Sequence, residues 1–358
     1  MKEKNSFYTA LMLESIAANK SCPKLYQPTQ FWDLWTKKLL DEMKSLGFDK
    51  FKTSPSCQSL FVSHYGHPFN ETPESLISEF VEFSKEKWTF DKQTEYLKFY
   101  LSGRMEAFCD YRVLLGSNTG PSCGLDFSTF YEGSIGSPME QQIYDTGVYS
   151  RNSLNYMLQL TFLRQCMGDF VPTTFLEIGG GWGCLGEVLS KTTTSKIKYI
   201  DIDISPSNCI AEYYLRETFP EVGVAGFYET NHSDEINISD LPSISVLPSW
   251  RIEQLRGEID VFVNTVSFQE MEPAVVQNYL DIVAKLNPKF LMLRNLREGK
   301  RTTPVEKGGS SVQEPVKREF YIKWLTAYGY ELASENVVPF GRKTIDGFHS
   351  EILVFRPA

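Results

Sequence analysis

The sequence predicts an α/β protein with a doubly wound parallel sheet, and two observations lead to this fold class. After Pro172, short runs typical of β-strands alternate with helical stretches, an order that indicates parallel strands covered by helices. The first of these strands runs directly into a group of glycines, and a strand, a glycine loop and a helix form a common ligand-binding unit of such sheets. We therefore expect a ligand at the carboxyl ends of the strands.

Composition narrows the class of protein. The chain has 358 residues, which suggests about two domains, and its 42% hydrophobic and 23% charged residues are ordinary for a globular protein. The net charge of −9 argues against a general nucleic-acid binder, because an acidic surface repels phosphate. No pair of the seven cysteines forms a C-x-x-C motif, so we expect no zinc ribbon and a reducing, cytoplasmic location. No apolar run approaches the ~18 residues of a membrane span.

The hydrophobic pattern divides the chain near residue 150. Residues 1–150 are predicted to form a mainly helical cap and residues 151–358 the sheet domain. Gly47 is expected to end a helix of the cap, because glycine is the usual residue after a helix C-terminus. The cap is predicted to contain helices over 31–46 and 73–109 and a loop over 116–138.

The sheet domain is predicted to hold seven strands and six helices. The strands are expected over 174–178, 197–201, 244–247, 259–264, 290–294, 331–338 and 351–355. The helices are expected over 153–167, 184–191, 207–217, 252–256, 274–286 and 318–328. No helix separates the last two strands, so we expect an antiparallel pair there and parallel strands elsewhere.

The glycine loop is the strongest local signal. Gly179, Gly180, Gly181 and Gly183 stand between the first strand and the next helix. Glycines allow a tight turn and a close approach of backbone to ligand, and the helix N-terminus adds unpaired amides. The motif formed by Gly181, Gly183 and Gly186 also satisfies the dinucleotide pattern G-x-G-x-x-G, which by itself is a weak match. A tight turn without a ligand is the third interpretation.

Glu177 favours S-adenosylmethionine over a dinucleotide. It stands two positions before the first glycine, where an acid accepts hydrogen bonds from the methionyl ammonium. A carboxylate at that point would repel a pyrophosphate. The second strand ends in Asp201 and Asp203, and an acid about 20 residues past the loop can accept both ribose hydroxyls. We favour Asp203, with Asp201 as the alternative, and whichever acid is not used would cap the next helix. Trp250, after the third strand, is expected to stack on adenine or to pack in the core.

Several segments resemble the sugar O-methyltransferase family. They are LEIGGGWG at 176–183, residues 203–215, DVFVNTVSFQEM at 260–271, HSEILVFR at 349–356 and, more weakly, residues 133–138. The resemblance covers roughly residues 125–358. It implies a Rossmann-like class I methyltransferase fold with the last strand antiparallel, S-adenosylmethionine as cofactor, and methyl transfer to a sugar hydroxyl of a nucleotide sugar or surface-glycan precursor.

Methyl transfer to a sugar hydroxyl needs a group that removes the proton, and the strand ends supply candidates. Asn264, Ser267, Gln269 and Glu270 follow the fourth strand. Glu270 is a candidate base or a group that orients the acceptor, and its alternative role is a favourable charge at a helix N-terminus. Asn264 is expected to contact the cofactor, and Ser267 and Gln269 the acceptor.

Two further strand ends add candidates. Arg294 and Asn295 close the fifth strand, and a positive cluster runs on from Arg294 to Lys307. This cluster suits an anionic acceptor, although a solvated loop would look the same. His349 begins the last strand and is the second candidate base, with Glu351 two residues on to orient it.

The cap is expected to close the site and exclude water. Tyr149 and Arg151 are candidate acceptor contacts, and simple packing is the alternative for each. No metal is predicted, and the oligomeric state is left open. The rival functions are a methyltransferase for a non-sugar small molecule or lipid, a dinucleotide-dependent oxidoreductase, and a non-catalytic cofactor-binding scaffold.

Overall fold

The N-terminal region is helical, as predicted. A computed structural model describes residues 2–65, 74–87, 96, 99–119, 122–145, 147–302, 312–336, 342–344 and 347–358. The helices before residue 120 are α1 (Lys2–Ser21), α2 (Gln30–Leu46), α3 (Pro55–Leu60), α4 (Glu74–Lys87) and α5 (Arg104–Ser117). α2 ends where expected, because Gly47 adopts a φ of 88° that favours glycine. A small hairpin, β1 (Gln142–Tyr144) with β2 (Gly147–Tyr149), closes the region.

One helix of the cap differs from the prediction. The single helix expected over 73–109 is interrupted: α4 ends at Lys87, residues 96 and 99–101 are helical, and Gly103 stands before α5 with a left-handed φ of 74°. α5 then continues to Ser117, which shortens the loop expected from residue 116. Apolar spacing alone missed the break, because two consecutive helices can share one hydrophobic period.

The sheet domain follows the predicted order of strands and helices. Its helices are α6 (Arg151–Met167), α7 (Cys184–Thr192), α8 (Ser207–Thr218), α9 (Phe227–Thr230), α10 (Pro273–Lys285) and α11 (Arg318–Ala327). Its strands are β3 (Thr174–Ile178), β4 (Lys198–Asp203), β5 (Val224–Ala225), β6 (Ile236–Asn237), β7 (Ile244–Pro248), β8 (Leu255–Arg256), β9 (Val261–Thr265), β10 (Phe290–Leu296), β11 (Tyr330–Asn336), β12 (Arg342–Lys343) and β13 (His349–Pro357).

The main sheet confirms the predicted fold class. Its strands lie in the order β11, β13, β10, β9, β3, β4, β7 and β5, with β12 paired to β13. The strands from β10 to β5 are parallel, and β13 runs antiparallel between β10 and β11. All seven predicted strands are present, and the short strands β5 and β12 are additions at the periphery. The last two residues of the sixth predicted strand, 337 and 338, and residues 339–341 of the turn that follows it lie outside the described residues.

One predicted helix of this domain is wrong. Residues 252–256 lie in a short 3-10 helix, Ser249–Gln254, and in strand β8, which pairs with β6. The apolar residues that suggested a helix, Ile252 and Leu255, are instead buried in the core.

Helices cover both faces of the sheet. Along β3, Phe175 points into a core shared with α6, α7, α8 and the N-terminal helices, while Leu176 points into a second core with α10 and α11. This alternation follows from the two-residue period of a strand. Ser150 caps α6 at the predicted boundary, since its side chain accepts a hydrogen bond from the amide of Ser153. Within the described part of the chain, every helix is too short or too polar to cross a bilayer.

Candidate cofactor and acceptor site

The glycine loop leaves β3 and enters α7 in a conformation that only glycine adopts easily. Gly179, Gly181 and Gly183 have φ values of 80°, 64° and 85°. Space is restricted as well: a Cβ on Gly180 would lie 2.5 Å from the carboxylate of Asp201. The loop therefore follows the carboxyl end of β3 closely and meets the end of β4.

The amides of the loop glycines are bonded within the chain. Gly180 donates to Oδ1 of Asp201 at 3.1 Å, and Gly181 donates to Oδ2 of Asp203 at 3.0 Å. Gly179 donates to a carbonyl of β4, and Gly183 to the carbonyl of Gly180. A pyrophosphate-binding loop needs such amides for phosphate oxygens. This geometry opposes the dinucleotide interpretation.

Glu177 lies under the loop and is completely buried. One carboxylate oxygen accepts a hydrogen bond from the hydroxyl of Tyr156 at 2.8 Å, and the other from Tyr199 at 2.5 Å. Burial and, to a smaller extent, the charge of Asp203 raise the pKa of Glu177 to about 7. The hydrogen bonds from the two hydroxyls oppose this rise. Direct contact of Glu177 with a ligand ammonium stays a prediction, and the geometry adds a second role, to hold negative charge beneath the loop.

Asp201 and Asp203 complete a carboxylate cluster with Glu177. Burial raises the pKa of Asp203 to about 7 and that of Asp201 well above its usual range. Oδ2 of Asp201 is buried without a hydrogen-bond partner among the described residues, whereas Asp203 stands at the strand end with 8% of its surface exposed. Within the described part of the chain, no ion pair neutralises the carboxylate cluster. Asp203 is thus the better placed of the two for ribose hydroxyls.

Asn264 and Ser267 connect the end of β9 to the glycine loop. The Asn264 amide donates to the carbonyl of Ile178 at 2.9 Å and to Ser267 Oγ at 2.6 Å, and Ser267 Oγ bonds the same carbonyl. The side-chain oxygen of Asn264 accepts from the amide of Phe268 and from Asn295. These contacts show that the polar atoms of both side chains position the loops, and the predicted contacts of Asn264 with the cofactor and of Ser267 with the acceptor stay predictions.

Gln269 and Asn295 join the next two loops in the same way. The backbone amide of Gln269 donates to Oδ1 of Asn295 at 3.1 Å, and Oε1 of Gln269 accepts from the amide of Leu296 at 2.8 Å. Both side chains are buried. Their contacts in the chain position the strand ends, and their predicted binding of acceptor stays a prediction.

Two side chains of the turn after β10, Glu298 and Lys300, contact the two candidate bases. Lys300 donates to Oε1 of Glu270 at 2.8 Å, and Glu298 contacts His349. The charge of Glu270 also contributes to the raised pKa of Asp203, so Glu270 lies near the carboxylate cluster. Glu270 and His349 thus lie on one edge of the sheet, beyond the ends of the parallel strands.

The expected partner of His349 was wrong. Glu351 accepts from Arg297 at 2.8 Å and from Arg318 at 3.1 Å, so its carboxylate is engaged by guanidinium groups. The positive cluster is correspondingly compensated, since Arg297 and Lys300 each bond a carboxylate. Lys307 lies outside the described residues.

The side chains of three other residues predicted to contact the acceptor make contacts within the chain. Tyr149 is buried among the rings of Phe130, Tyr111 and Tyr144. Arg151 donates to the carbonyl of His64 at 2.6 Å and pairs with a glutamate of α5. The third, Arg294, is buried and donates to Asn155 and Ser350. Packing was the alternative interpretation for Tyr149 and Arg151, and it accounts for the contacts of both.

Trp250 also matches its alternative interpretation in part. It is half-buried after β7 and packs against both hydrophobic cores. Its stacking on adenine stays a prediction. Among the described residues, no group of three His, Cys, Asp or Glu is arranged to hold a metal ion.

Sequence reasoning missed the residues of the cap that cover the loop. Phe61 lies 3.1 Å from the Cβ position of Gly181, and its carbonyl accepts from the ring nitrogen of Trp182 and from Asn152. Lys52 lies 3.8 Å from the centre of the Trp182 ring. No spacing in the sequence signals these contacts, because they join residues about 90 to 130 positions apart.

Comparison with known proteins identifies no family for this chain. No family model matches the chain, and no curated protein matches it in sequence. Among solved structures, magnesium protoporphyrin IX methyltransferase (ChlM) from Synechocystis PCC 6803 with bound SAH is 13% identical, with 57% of this chain and 84% of that chain covered and a TM-score of 0.39. The cyclopropane synthase MmaA2 from Mycobacterium tuberculosis is 12% identical, with 69% and 93% covered and a TM-score of 0.40. The mitomycin 7-O-methyltransferase MmcR is 11% identical, with 93% and 74% covered and a TM-score of 0.36. Since these similarities carry no argument about activity, the function proposed below rests on the geometry of the chain.

Proposed function

We propose that this chain is an S-adenosylmethionine-dependent methyltransferase. The observation that carries the proposal is the carboxylate cluster of Glu177, Asp201 and Asp203 at the glycine loop, with two loop amides bonded to its oxygens. Uncompensated carboxylates favour a cationic ligand and repel phosphates. S-adenosylmethionine carries an ammonium and a sulfonium, whereas a dinucleotide carries two phosphates.

The residues divide into binding and chemical roles. Asp203 would accept the ribose hydroxyls, and Glu177 and Asp201 would supply the negative charge that the ammonium and sulfonium require. The bound cofactor supplies an electrophilic methyl group. His349 would remove the proton of the acceptor hydroxyl, because it lies beyond the carboxyl end of β10 and its ring is held by Glu298. Glu270 is ion-paired with Lys300, so we assign it to orient the acceptor.

For the acceptor we propose a sugar hydroxyl, on a nucleotide sugar or a surface-glycan precursor. Support comes from the resemblance of residues 260–271 and 349–356 to the sugar O-methyltransferase family, and from a base within the second of these segments. A sugar hydroxyl is weakly acidic, so its methylation needs such a base. The paired state of Arg297 and Lys300 gives no preference for an anionic acceptor.

Calorimetric titration tests the cofactor. We expect S-adenosylhomocysteine to bind well below millimolar concentration, and reduced nicotinamide dinucleotide not to bind. The opposite preference would establish the oxidoreductase alternative and overturn the proposal. Asp240→Asn is a suitable control variant, because this exposed acid ends a short 3-10 helix before β7 and should leave the affinity unchanged.

An acceptor panel tests the second half of the proposal. Transfer of a labelled methyl group is measured with nucleotide sugars, free monosaccharides, a lipid and small phenols. We expect product with a sugar and loss of product in His349→Asn. Product only with a lipid or a phenol would support the methyltransferase activity and refute the proposal of a sugar acceptor. Cofactor binding without transfer to any member would favour a scaffold.

A further inference from the structure

Glu298 contacts His349 through both of its carboxylate oxygens. Oε1 lies 2.6 Å from the ring Nδ1, and Oε2 accepts from the backbone amide of His349 at 2.8 Å. Burial would raise the pKa of Glu298, but the amide and ring of His349 outweigh it and hold that pKa below its usual range. Glu298 is therefore ionised near neutral pH and can only accept hydrogen bonds.

An acceptor at Nδ1 decides the state of the ring. Because an ionised carboxylate has no proton to give, the proton of the neutral imidazole must lie on Nδ1. Nε2 then carries the free lone pair. We propose that Glu298 is a positioning residue, which holds His349 in the Nδ1–H tautomer and thereby makes Nε2 the proton acceptor of the reaction. This inference rests on the proposed function, in which His349 is the base.

The proton transfer balances within this pair. As the acceptor oxygen forms its bond to the methyl group, the bond between that methyl group and the sulfonium sulfur would break, and its electron pair would stay on the sulfur of the departing S-adenosylhomocysteine. The hydroxyl proton would pass to Nε2, and the ring would become an imidazolium. The carboxylate of Glu298 stabilises this new positive charge at 2.6 Å, in the way a buried acid supports a catalytic histidine. Without the carboxylate, the ring would be free to carry its proton on Nε2, where it cannot act as a base.

The other charges around His349 have partners of their own or point elsewhere. Lys343 on β12 pairs with His349 through the backbone, and its side chain is exposed. Arg297, whose amide donates to the carbonyl of His349, places its guanidinium on Glu351. Arg301 stacks on the ring of Phe348. Among the described residues, Glu298 is thus the acid that contacts the imidazole.

The test uses Glu298→Gln, a variant that preserves shape and reverses the hydrogen bond. The amide oxygen of the glutamine can still accept from the backbone of His349, while its NH₂ group would donate to Nδ1 and force the proton onto Nε2. Nitrogen NMR of the four histidines reports the tautomer without any acceptor, and His349→Asn assigns the signal. We expect Nδ1–H in the wild type and Nε2–H in Glu298→Gln. A wild-type ring already protonated on Nε2, or no change in the variant, would overturn the proposal.

Activity provides the second readout. In Glu298→Gln we expect kcat to fall by about 100-fold or more, because a correctly protonated general base contributes 10²–10⁴-fold, with the affinity for S-adenosylhomocysteine unchanged. Glu331→Gln is the matched control, since this glutamate bonds Arg356 away from the strand ends and should alter neither readout. Loss of activity in His349→Asn together with full activity in Glu298→Gln would refute the positioning role of Glu298 and leave the proposed function standing. Failure of the wild type to bind S-adenosylhomocysteine would instead refute the proposed function.

Discussion

Asp203 and Gly181 are joined by a hydrogen bond of 3.0 Å from the loop amide to the strand-end carboxylate. The acid expected to bind ribose therefore also sets the position of the glycine loop. Its second oxygen accepts from the amide of Ile204 at 2.7 Å, so both oxygens are oriented by backbone. A ligand that contacts Asp203 meets a side chain that is already fixed, which lowers the entropy cost of binding.

Replacing Asp203 should weaken cofactor binding. Asp203→Asn removes the charge and one acceptor, and hydrogen bonds to charged groups are worth about 1.5–3 kcal/mol, so we expect a loss of roughly 10- to 100-fold in affinity. Calorimetry with S-adenosylhomocysteine measures it, with Asp240→Asn as the control. Equal affinity in the two variants would contradict the role of Asp203.

Cofactor affinity should increase with pH. The pKa values of Glu177 and Asp203 are raised to about 7, mainly by burial, so both are partly protonated near neutrality. A cationic ligand favours their ionised forms, so binding releases protons and tightens between about pH 6 and about pH 8. Titration in two buffers of different ionisation enthalpy counts the protons released. Glu177→Gln should release fewer, and a pH-independent affinity in the wild type would be inconsistent with this cluster.

Glu177 should also make stability fall as pH rises. Its pKa in the folded chain, about 7, lies above the ordinary value of 4.5, so its contribution is fully present below about pH 4.5 and is lost as pH rises through about 7. The loss has an upper limit of about 3 kcal/mol, at about 1.4 kcal/mol per pKa unit. Urea unfolding of the wild type and Glu177→Gln at about pH 5 and about pH 8 isolates this effect. We expect the free energy of unfolding of Glu177→Gln to increase relative to that of the wild type at the higher pH. The same difference between the two proteins at both pH values would exclude the effect of Glu177.

The ion pair between Lys52 and Glu132 should be sensitive to removal of one partner. Both side chains are almost completely buried, with the ammonium also near the rings of Trp182 and Tyr214. Lys52→Met leaves a buried carboxylate unpaired, and we expect a loss of about 3–5 kcal/mol in the free energy of unfolding.

Two comparisons make this prediction specific. Adding Glu132→Gln to Lys52→Met should recover much of the stability, because the unpaired charge disappears. Lys85→Met removes a partner from the exposed pair with Glu82 and should change stability by less than about 1 kcal/mol. Equal losses for Lys52→Met and Lys85→Met in urea unfolding would show that burial of the first pair has no energetic consequence.

The fold could be predicted because its signals are local. Strands such as Phe290–Leu296 are short apolar runs, and three of the four loop glycines have positive φ values that other residues adopt with strain. The helix over 252–256 was wrong because a short apolar run does not distinguish a helix from a 3-10 turn with a strand. Gly103 divided a predicted helix for a similar reason, since nothing in the apolar spacing marked it.

The site was harder to predict because its polar residues bind each other. Asn264 and Gln269 have the residue types of ligand contacts, yet their hydrogen bonds end on neighbouring loops. Glu351 lies two residues after His349 on one strand, but the guanidinium of Arg297 attracts it, and Glu298 from the adjacent turn takes its place. Periodicity identifies which residues share a face, whereas the choice of partner depends on turns that sequence-distant segments build.

The position of β13 also constrains how the chain assembles. This strand lies between β10 and β11, although it is synthesised after both. Until β13 is synthesised, the edges of β10 and β11 that it will pair with stay unpaired. The residues of β10 are mostly apolar, so its unpaired edge can associate with other chains. The insertion of β13 closes this gap and brings His349 to the strand ends in the same event, so the proposed base arrives only when the sheet is complete.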